Sequence, residues 1–307
     1  IAHPVDARLL NDSVRVLTRL LKRLRAAAPI SISVVYRNHT RACKKRAYQI
    51  VMGKGKNIEK RRKTLYKGLL DYQQKVRGTA RRALDAIDGE AAALCDVEIM
   101  GTVAQLKDVL PLAEQVYDQA HRRVIMGENV PADEKLVSIF ETHTAVICRG
   151  KKGCKAEFGH KFDIATGRSG LITRYEVFDG NPCDGEVLAR ALEDHRRVFG
   201  KAPRRLTADR RYHSKDNEKV AAEAGVEQIA LPKPGRLSEL RKRLQQAPWF
   251  RRLLRWRAGI EGNLSTLLRS FGLKRCLWKG ARSFKAYVGW GVLTYNLRLL
   301  AGHLAGA

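Results

Sequence analysis

Two carboxylates, those of Asp209 and Glu261, occupy positions in the sequence where an acid can take part in chemistry. Asp209 follows a predicted short strand, residues 205–208, at the turn into a helix, and ligands of open α/β sheets gather at that edge. Glu261 interrupts the apolar stripe of a predicted helix, one turn after Arg257. Because an unpaired buried carboxylate is costly, Glu261 is expected either to pair with Arg257 or to face a polar site such as a metal ion. For Asp209 the alternative is an ordinary turn residue.

These two acids suggest metal-dependent chemistry on a phosphodiester. Carboxylate oxygens are hard ligands that suit Mg²⁺ or Mn²⁺. Two such ions about 4 Å apart can activate an attacking oxygen and stabilise a leaving one, and this arrangement usually needs a third carboxylate. The pattern predicts Asp209 and Glu261 as metal ligands, with Arg257 in a supporting role.

The charge of the chain points to a polyanionic partner. The 307 residues include 59 Lys and Arg against 31 Asp and Glu, a net charge of +28. Segments 41–82 and 233–285 each carry 15 basic residues and two acids, or +13 apiece. Such segments predict binding to nucleic acid with a steep dependence on salt. The candidate DNA-binding residues are Lys44, Lys45, Arg46, Arg61, Arg62, Lys63, Lys233, Arg241, Lys242, Arg243, Arg269 and Lys274. A solvated basic face is the main alternative, and a membrane surface is a weaker one.

Composition excludes several other classes of protein. A hydrophobic content of 44% can build a core, which excludes a disordered basic tail. The sequence has no apolar run of about 18 residues that could span a membrane, and its first residues do not resemble a secretory signal. The six cysteines form no C-x-x-C pair, which argues against a zinc site and favours reduced thiols in a cytoplasm.

The secondary structure predicted from the sequence changes near residue 130, from helices to a mixture of strands and helices. Apolar residues recur at three- and four-residue spacing before it, which predicts a basic helical region over 1–130, punctuated at Gly89 and Pro111. Residues 131–307 are predicted to form an α/β domain, in which 205–231 is a strand–helix–strand unit of a mostly parallel or mixed sheet. Its predicted strands are 135–140, 144–149, 158–165, 170–178, 205–208 and 227–231, and its predicted helices are 184–199, 215–224 and 248–304, the last broken near Gly272 and Gly280.

Three motifs carry a resemblance to a known family. They are Leu206-Thr-Ala-Asp209-Arg-Arg-Tyr-His-Ser214, Leu231-Pro-Lys-Pro-Gly235 and Arg257-Ala-Gly-Ile-Glu261-Gly. Together they resemble the DDE transposases of bacterial insertion sequences, of the ribonuclease-H-like type. The similarity extends over essentially the whole chain, including 157–161, 176–184 and 287–298.

The resemblance implies a fold, an activity and a site. It implies an α/β fold with a ribonuclease-H-like mixed sheet flanked by helices, which cleaves and transfers DNA strands with Mg²⁺ or Mn²⁺. Asp209 would be the second catalytic acid and Glu261 the third, and Arg257 matches the arginine that precedes the glutamate. The partners would be double-stranded DNA, as transposon ends and target, and a second copy in a synaptic complex. The protein would be bacterial and cytoplasmic, and nucleoid-associated when bound to DNA.

Two departures from the family pattern bear on activity. Arg211 stands where relatives commonly have glycine, and a bulky residue there is expected to disturb a tight turn. The Asp-Ser/Thr-Thr motif that supplies the first acid on the first strand is not in the chain. We therefore expect that this strand lies upstream of Ile1, that the helical region 1–130 is a large insertion after it, and that catalysis is impaired.

Other residues and functions remain as alternatives. Asp163, Glu141 and Asp6 are weighed as substitutes for the first acid, although surface or turn positions are the ordinary explanation for each. His213 is expected to be a loop residue and not a general base. The alternative function is a non-catalytic, DNA-binding remnant of a decayed transposase. A metal-dependent nuclease without strand transfer is a third.

Overall fold

The computed structural model describes residues 6–27, 35–88, 96–147, 157–180, 182 and 184–306. The chain divides into two compact units, residues 1–159 and 160–307. The first unit contains helices α1 (Asp6–Ala27), α2 (Thr40–Met52), α3 (Ile58–Asp88) and α4 (Val97–Ala120), and a π-helical turn continues α4 over His121–Met126. The helical character predicted for this region is confirmed over these elements.

The core of the first unit forms because α1 buries one apolar face. Leu10, Val14, Leu17, Leu21 and Leu24 repeat every three or four residues and are at most 1% exposed. They pack against apolar residues of α2, α3 and α4. A fully buried leucine contributes about 1.5–3 kcal/mol relative to an exposed one, so this stripe fixes the arrangement of the helices.

Pro111 does not interrupt its helix as the sequence predicted. It lies inside α4, although proline removes one backbone hydrogen bond of a helix. Leu110 and Ala113 beside it are buried in the helical core, and Gln73 of α3 donates from Nε2 to the Ala113 carbonyl at 2.6 Å. Tertiary contacts thus hold the helix through a position that its local sequence disfavours.

The predicted strand at 135–140 is wrong, since this segment has no strand in the structure. Its apolar residues Leu136, Val137 and Ile139 are buried. The Leu136 N–H donates to Oε1 of Gln119, and Gln119 Nε2 donates to the Leu136 carbonyl, both at 3.0 Å. A buried side chain from α4 therefore satisfies the backbone groups that a neighbouring strand would otherwise have to satisfy.

The remaining strands pair two by two. In the first unit β1 (Ala145–Ile147) pairs antiparallel with β2 (Glu157–Gly159). In the second unit β3 (Phe162–Thr166) and β4 (Ile172–Val177) form a hairpin, and β5 (Arg205–Thr207) lies parallel to β6 (Gln228–Ala230). The mixed α/β character is confirmed. Among the described residues the strands form three separate pairs, so a single ribonuclease-H-like sheet stays a prediction.

Comparison of these strands with the predicted ones corrects some boundaries. The run predicted at 158–165 is divided between β2 and β3, which are separated at residues 160–161. Strand β4 lies within the strand predicted at 170–178 and pairs antiparallel with β3. Of the strand predicted at 144–149, residues 145–147 are confirmed and 148–149 lie outside the described residues, as does Gly89.

The helices of the second unit follow their local signals. They are α5 (Asp184–Phe199), α6 (Lys215–Glu223), α7 (Glu239–Gln246), α8 (Pro248–Ser270) and α9 (Ala281–Ala305). Ser214 caps α6 by accepting the Asn217 N–H at 2.9 Å, and Gly225 follows the helix with φ +92°, as C-terminal glycines do. The predicted β5–α6–β6 unit and the break between α8 and α9 are confirmed. No helix of the described residues is long and apolar enough to cross a membrane.

Candidate active site

Asp209 lies two residues beyond the carboxyl end of β5. It begins a single turn of 3₁₀ helix, Arg210–Tyr212, and its Oδ1 accepts the Arg210 N–H at 2.7 Å. The side chain is 56% exposed. The short strand thus delivers a carboxylate to the surface, and the turn fixes one of its oxygens.

Arg257 connects Asp209 to Glu261 across 52 residues of sequence. From the third turn of α8, Arg257 places Nη1 3.7 Å from Asp209 Oδ1 and Nη2 3.5 Å from Glu261 Oε1. These distances are those of ion pairs and are long for hydrogen bonds. One planar guanidinium therefore faces both carboxylates, and it lowers the repulsion between them.

The expectation that Glu261 is buried in an apolar stripe is wrong. Its side chain is 72% exposed. Helix α8 is buried near its two ends, at Phe250, Leu253 and Leu267, whereas residues 255–262 are exposed or half-buried. The apolar spacing continues through the middle of the helix without burial there. Glu261 consequently needs no partner to offset desolvation.

Two exposed carboxylates that face the same guanidinium can accept another cation. Exposed ion pairs contribute only about 0–1 kcal/mol, so Arg257 does not hold either acid strongly. Mg²⁺ is commonly bound by one or two carboxylates, with water and substrate phosphates as its other ligands. Within the part of the chain that the structure describes, no group of three or more His, Cys, Asp or Glu residues could hold a metal. Asp209 and Glu261 fit a divalent ion that receives further oxygens from its substrate.

Two of the acids weighed as a first carboxylate belong to the first unit and have partners there. Asp6 is 5% exposed; its Oδ1 accepts from Gln119 Nε2 at 3.1 Å, and its Oδ2 lies 2.6 Å from Arg123. Glu141 lies 2.7 Å from the ring of His143. Both are engaged in contacts within the helical unit.

Asp163 belongs to a cluster of charges around Arg174, a residue that sequence reasoning missed. The Arg174 side chain is 8% exposed. Its Nη1 donates to Asp163 Oδ2 at 2.9 Å and its Nε to Asp194 Oδ2 at 2.8 Å, and its Nη2 contacts Glu176. Burial alone would lower the pKa of Arg174, but the bonds to Asp194 and Glu176 outweigh burial and raise it. We call these four residues the Arg174 cluster.

The Arg174 cluster also anchors the turn that carries Asp209. Tyr212, in that turn, donates its hydroxyl to Asp163 Oδ1 at 2.8 Å, and its carbonyl accepts from Asn217 Nδ2 at 2.7 Å. The alternation of side chains along a strand could have indicated this cluster. Arg174 and Glu176 are two residues apart on β4, and Glu176 lies directly opposite Asp163 in the hairpin, so all three share one face.

Comparison with known proteins identifies the family of the chain. A family model described as the transposase DDE domain matches residues 130–297, more than half of the chain. The chain belongs to this family. No curated protein and no solved structure matches it. The resemblance of the motifs is thereby confirmed: the chain is a transposase of the DDE type, a class of enzymes that act on DNA and generally use divalent metal ions.

Arg211 does not distort the turn of this transposase. It occupies the middle of the 3₁₀ turn, residues 210–212. Among the described residues no amino acid other than glycine has a positive φ, so the position does not require glycine. The expected disturbance is therefore absent from the backbone of the turn.

The structure divides the candidate DNA-binding residues of the transposase into two groups. Arg46, Arg62 and Arg241 are half-buried and bonded within the chain. Arg62 donates to the carbonyls of Ile50 and Gly53 at the end of α2, and Arg241 donates to Leu231 and contacts Glu218 at 2.6 Å. The guanidinium of Arg46 lies 4.7 Å from the ring centroid of Tyr72. The exposed group comprises Lys44, Lys45, Arg61, Lys63, Lys233, Lys242, Arg243, Arg269 and Lys274.

His213 ends the turn that begins at Asp209, and its pKa predicts a dependence of stability on pH. Burial lowers the pKa of His213 below its usual 6.5; Glu218 opposes this decrease, and Arg241 and Lys233 add to it. A lowered folded pKa means that the unfolded chain binds the proton first as the pH falls. The stability contributed by neutral His213 is complete above pH 6.5 and is lost as the pH decreases toward the folded pKa.

We therefore expect His213→Gln to reduce the loss of stability between about pH 7.5 and about pH 5. Urea unfolding at the two pH values measures it, with His303→Gln as the control, because His303 is an exposed histidine of α9. An equal loss in wild type and His213→Gln would contradict the prediction.

Proposed function

We propose that Asp209 and Glu261 are two catalytic acids of the transposase and that Arg257 positions them. The observation that carries this proposal is the shared guanidinium, which lies 3.7 Å from one carboxylate and 3.5 Å from the other. Asp209, after β5, and Glu261, on α8, are far apart in sequence, so helical spacing does not explain why they share one guanidinium. Exposed ion pairs of this kind contribute only about 0–1 kcal/mol to stability, so the arrangement leaves both acids available for binding.

Asp209 and Glu261 would hold Mg²⁺ or Mn²⁺. When bound, such an ion polarises a phosphodiester and makes water a better nucleophile. Without the ion, Arg257 reduces the repulsion between the two carboxylates. With the ion bound, its guanidinium would be free to pair with a phosphate oxygen of DNA. The exposure of Asp209 and Glu261, at 56% and 72%, supports access by a duplex.

We further propose that this chain is impaired in strand transfer. It lacks the Asp-Ser/Thr-Thr motif, and the three substitute acids Asp6, Glu141 and Asp163 are each engaged in ion pairs or hydrogen bonds with other residues. Two carboxylates can bind an ion weakly but leave a two-ion site without its usual third ligand. The ribonuclease-H-like sheet, the insertion of 1–130 and the pairing of two copies in a synaptic complex stay proposals.

Metal binding tests the site directly. We expect Mn²⁺ binding, measured by titration calorimetry and by electron paramagnetic resonance, to weaken by about tenfold or more in Asp209→Asn and in Glu261→Gln. Glu223→Gln is the matched control, because Glu223 is also an exposed acid with a basic partner at a spacing of four residues. It should bind Mn²⁺ like wild type.

A plasmid-nicking assay with Mn²⁺ or a chelator then tests the chemistry. Any metal-dependent cleavage by wild type should disappear in both site variants. Unchanged Mn²⁺ affinity in the double variant, Asp209→Asn with Glu261→Gln, would overturn the proposal.

A second function is a DNA-binding protein without chemistry. It is favoured by the lack, among the described residues, of any group of three metal-ligating side chains. In that case DNA affinity would be the same with Mg²⁺ and with a chelator, and the plasmid would stay intact under both conditions.

A further inference from the structure

An exposed apolar pair projects from the loop between α8 and α9. In this segment, residues 271–280, Leu277 is 74% exposed and Trp278 is 49% exposed. Large apolar side chains are costly to leave in water, and single exposed ones are common on surfaces. Leu277 and Trp278 are adjacent in the chain, so together they expose a larger apolar area than a single side chain would.

The loop holds Trp278 in a fixed position. The edge of its ring packs against Tyr287 of α9, with 5.5 Å between ring centroids. The Tyr287 hydroxyl donates to the Gly272 carbonyl at 3.0 Å, and the Leu273 N–H donates to Leu267 at 3.2 Å, which closes α8. Trp278 is therefore preorganised with half of its surface open, which reduces the entropy lost on binding.

The surroundings of Trp278 are strongly cationic. The segment from Arg269 to Lys285, both included, contains six Lys and Arg residues and no acid. Lys285 pairs with Asp179 at 2.9 Å, whereas Lys274, Arg275 and Lys279 of the loop are exposed. An apolar wedge among cations is complementary to a nucleic acid strand, because phosphates attract the cations and every base offers a flat face for stacking.

We propose that Leu277 and Trp278 form a wedge that stacks on unpaired bases of DNA bound to the transposase. This inference rests on the proposed function, in that it requires DNA binding, but it does not require metal ions or catalysis. The ligand is a nucleobase freed from its stack, as at a frayed end, a flap or a kink. The loop would then recognise whether bases of the DNA are unpaired, and not which bases they are.

The test compares two fluorescent DNAs of equal length, a complete duplex and the same duplex with a short unpaired segment. We expect wild type to prefer the second by about tenfold, since stacking of one base on an aromatic ring has a comparable effect. Trp278→Ala should lose this preference and keep its affinity for the complete duplex. Trp278→Phe should retain most of it.

Trp290→Ala is the matched control, because Trp290 is 60% exposed and lies outside the cationic loop. Thermal melts confirm that each variant folds. An equal preference in wild type and Trp278→Ala, or an equal loss in Trp290→Ala, would overturn the wedge. The wedge would also be overturned if Trp278→Ala lost binding to anionic vesicles while its affinity for both DNAs stayed the same. Failure of wild type to bind the complete duplex would instead overturn the proposed function, and the wedge with it.

Discussion

Replacing Arg174 with methionine should lower the free energy of unfolding of the second unit by about 3–5 kcal/mol, as expected when one partner of a buried ion pair is removed. The side chain is 8% exposed and contacts three carboxylates. Methionine fills a similar volume but leaves Asp163, Glu176 and Asp194 without their shared cation. Arg190 and Arg197 still contact Glu176 and Asp194, which limits the effect on these two acids.

Tryptophan fluorescence during urea unfolding measures this effect in the second unit alone. The four tryptophans, Trp249, Trp256, Trp278 and Trp290, all lie after residue 160. Arg197→Met is the control, since Arg197 is 77% exposed and contacts the same Asp194; we expect little change. Arg174→Lys should be intermediate, because it keeps the charge but cannot direct nitrogens to three acids. A stability of Arg174→Met equal to that of wild type would contradict the structural role of the cluster.

The same cluster should influence the site through Tyr212. Asp163 accepts the Tyr212 hydroxyl, and Tyr212 lies three residues after Asp209 in one turn. Loss of Arg174 therefore frees the group that anchors this turn. In Arg174→Met we expect Mn²⁺ affinity and the free energy of unfolding to decrease together. Arg257 differs, because its exposed ion pairs contribute little to stability.

DNA affinity should fall about 10³- to 10⁵-fold between about 50 and about 200 mM salt if the chain contacts about six to ten phosphates. The reason is the release of counterions from the DNA backbone. Nine candidate basic residues are exposed, on both units. Fluorescence anisotropy over a salt series gives the slope from which the number of contacts follows.

Charge-neutralising variants identify the residues that make those contacts. Lys44→Ala with Lys45→Ala, and Lys242→Ala with Arg243→Ala, should each reduce the slope by about 0.9 per lost contact. Arg204→Ala is the control, because Arg204 is exposed, pairs with Glu227 and lies outside both basic segments. Affinity that does not change with salt would contradict a role for the two segments in DNA binding.

Local signals in the sequence were sufficient for several elements. The leucine spacing of α1 fixes which face of that helix is buried. Ser214 and Gly225 mark the two ends of α6, because a hydroxyl can satisfy free N–H groups and glycine adopts a positive φ at little cost. These effects act over a few residues, so they can be recognised without knowledge of the fold.

Other features depend on neighbours that the local sequence does not reveal. The apolar run at 135–140 has the composition of a strand, but Gln119 satisfies its backbone at Leu136. Arg62 and Arg241 belong to basic segments whose charge predicts DNA binding. In the structure both donate hydrogen bonds to backbone carbonyls, and Arg241 also forms an ion pair with Glu218. In each case a distant residue decides between two roles that the local pattern allows equally.

By itself the sequence determined the family, through short motifs around Asp209, Pro232 and Glu261, and its net charge predicted an attraction to a polyanion. Only the tertiary structure decided that Arg257 faces both acids, that Glu261 is exposed, and that Asp163 serves Arg174 and Tyr212. Motifs and charge are properties of the chain alone. The ion pair between the turn after β5 and α8, and the hydrogen bond between the β3–β4 hairpin and that turn, exist only once packing has brought those elements together.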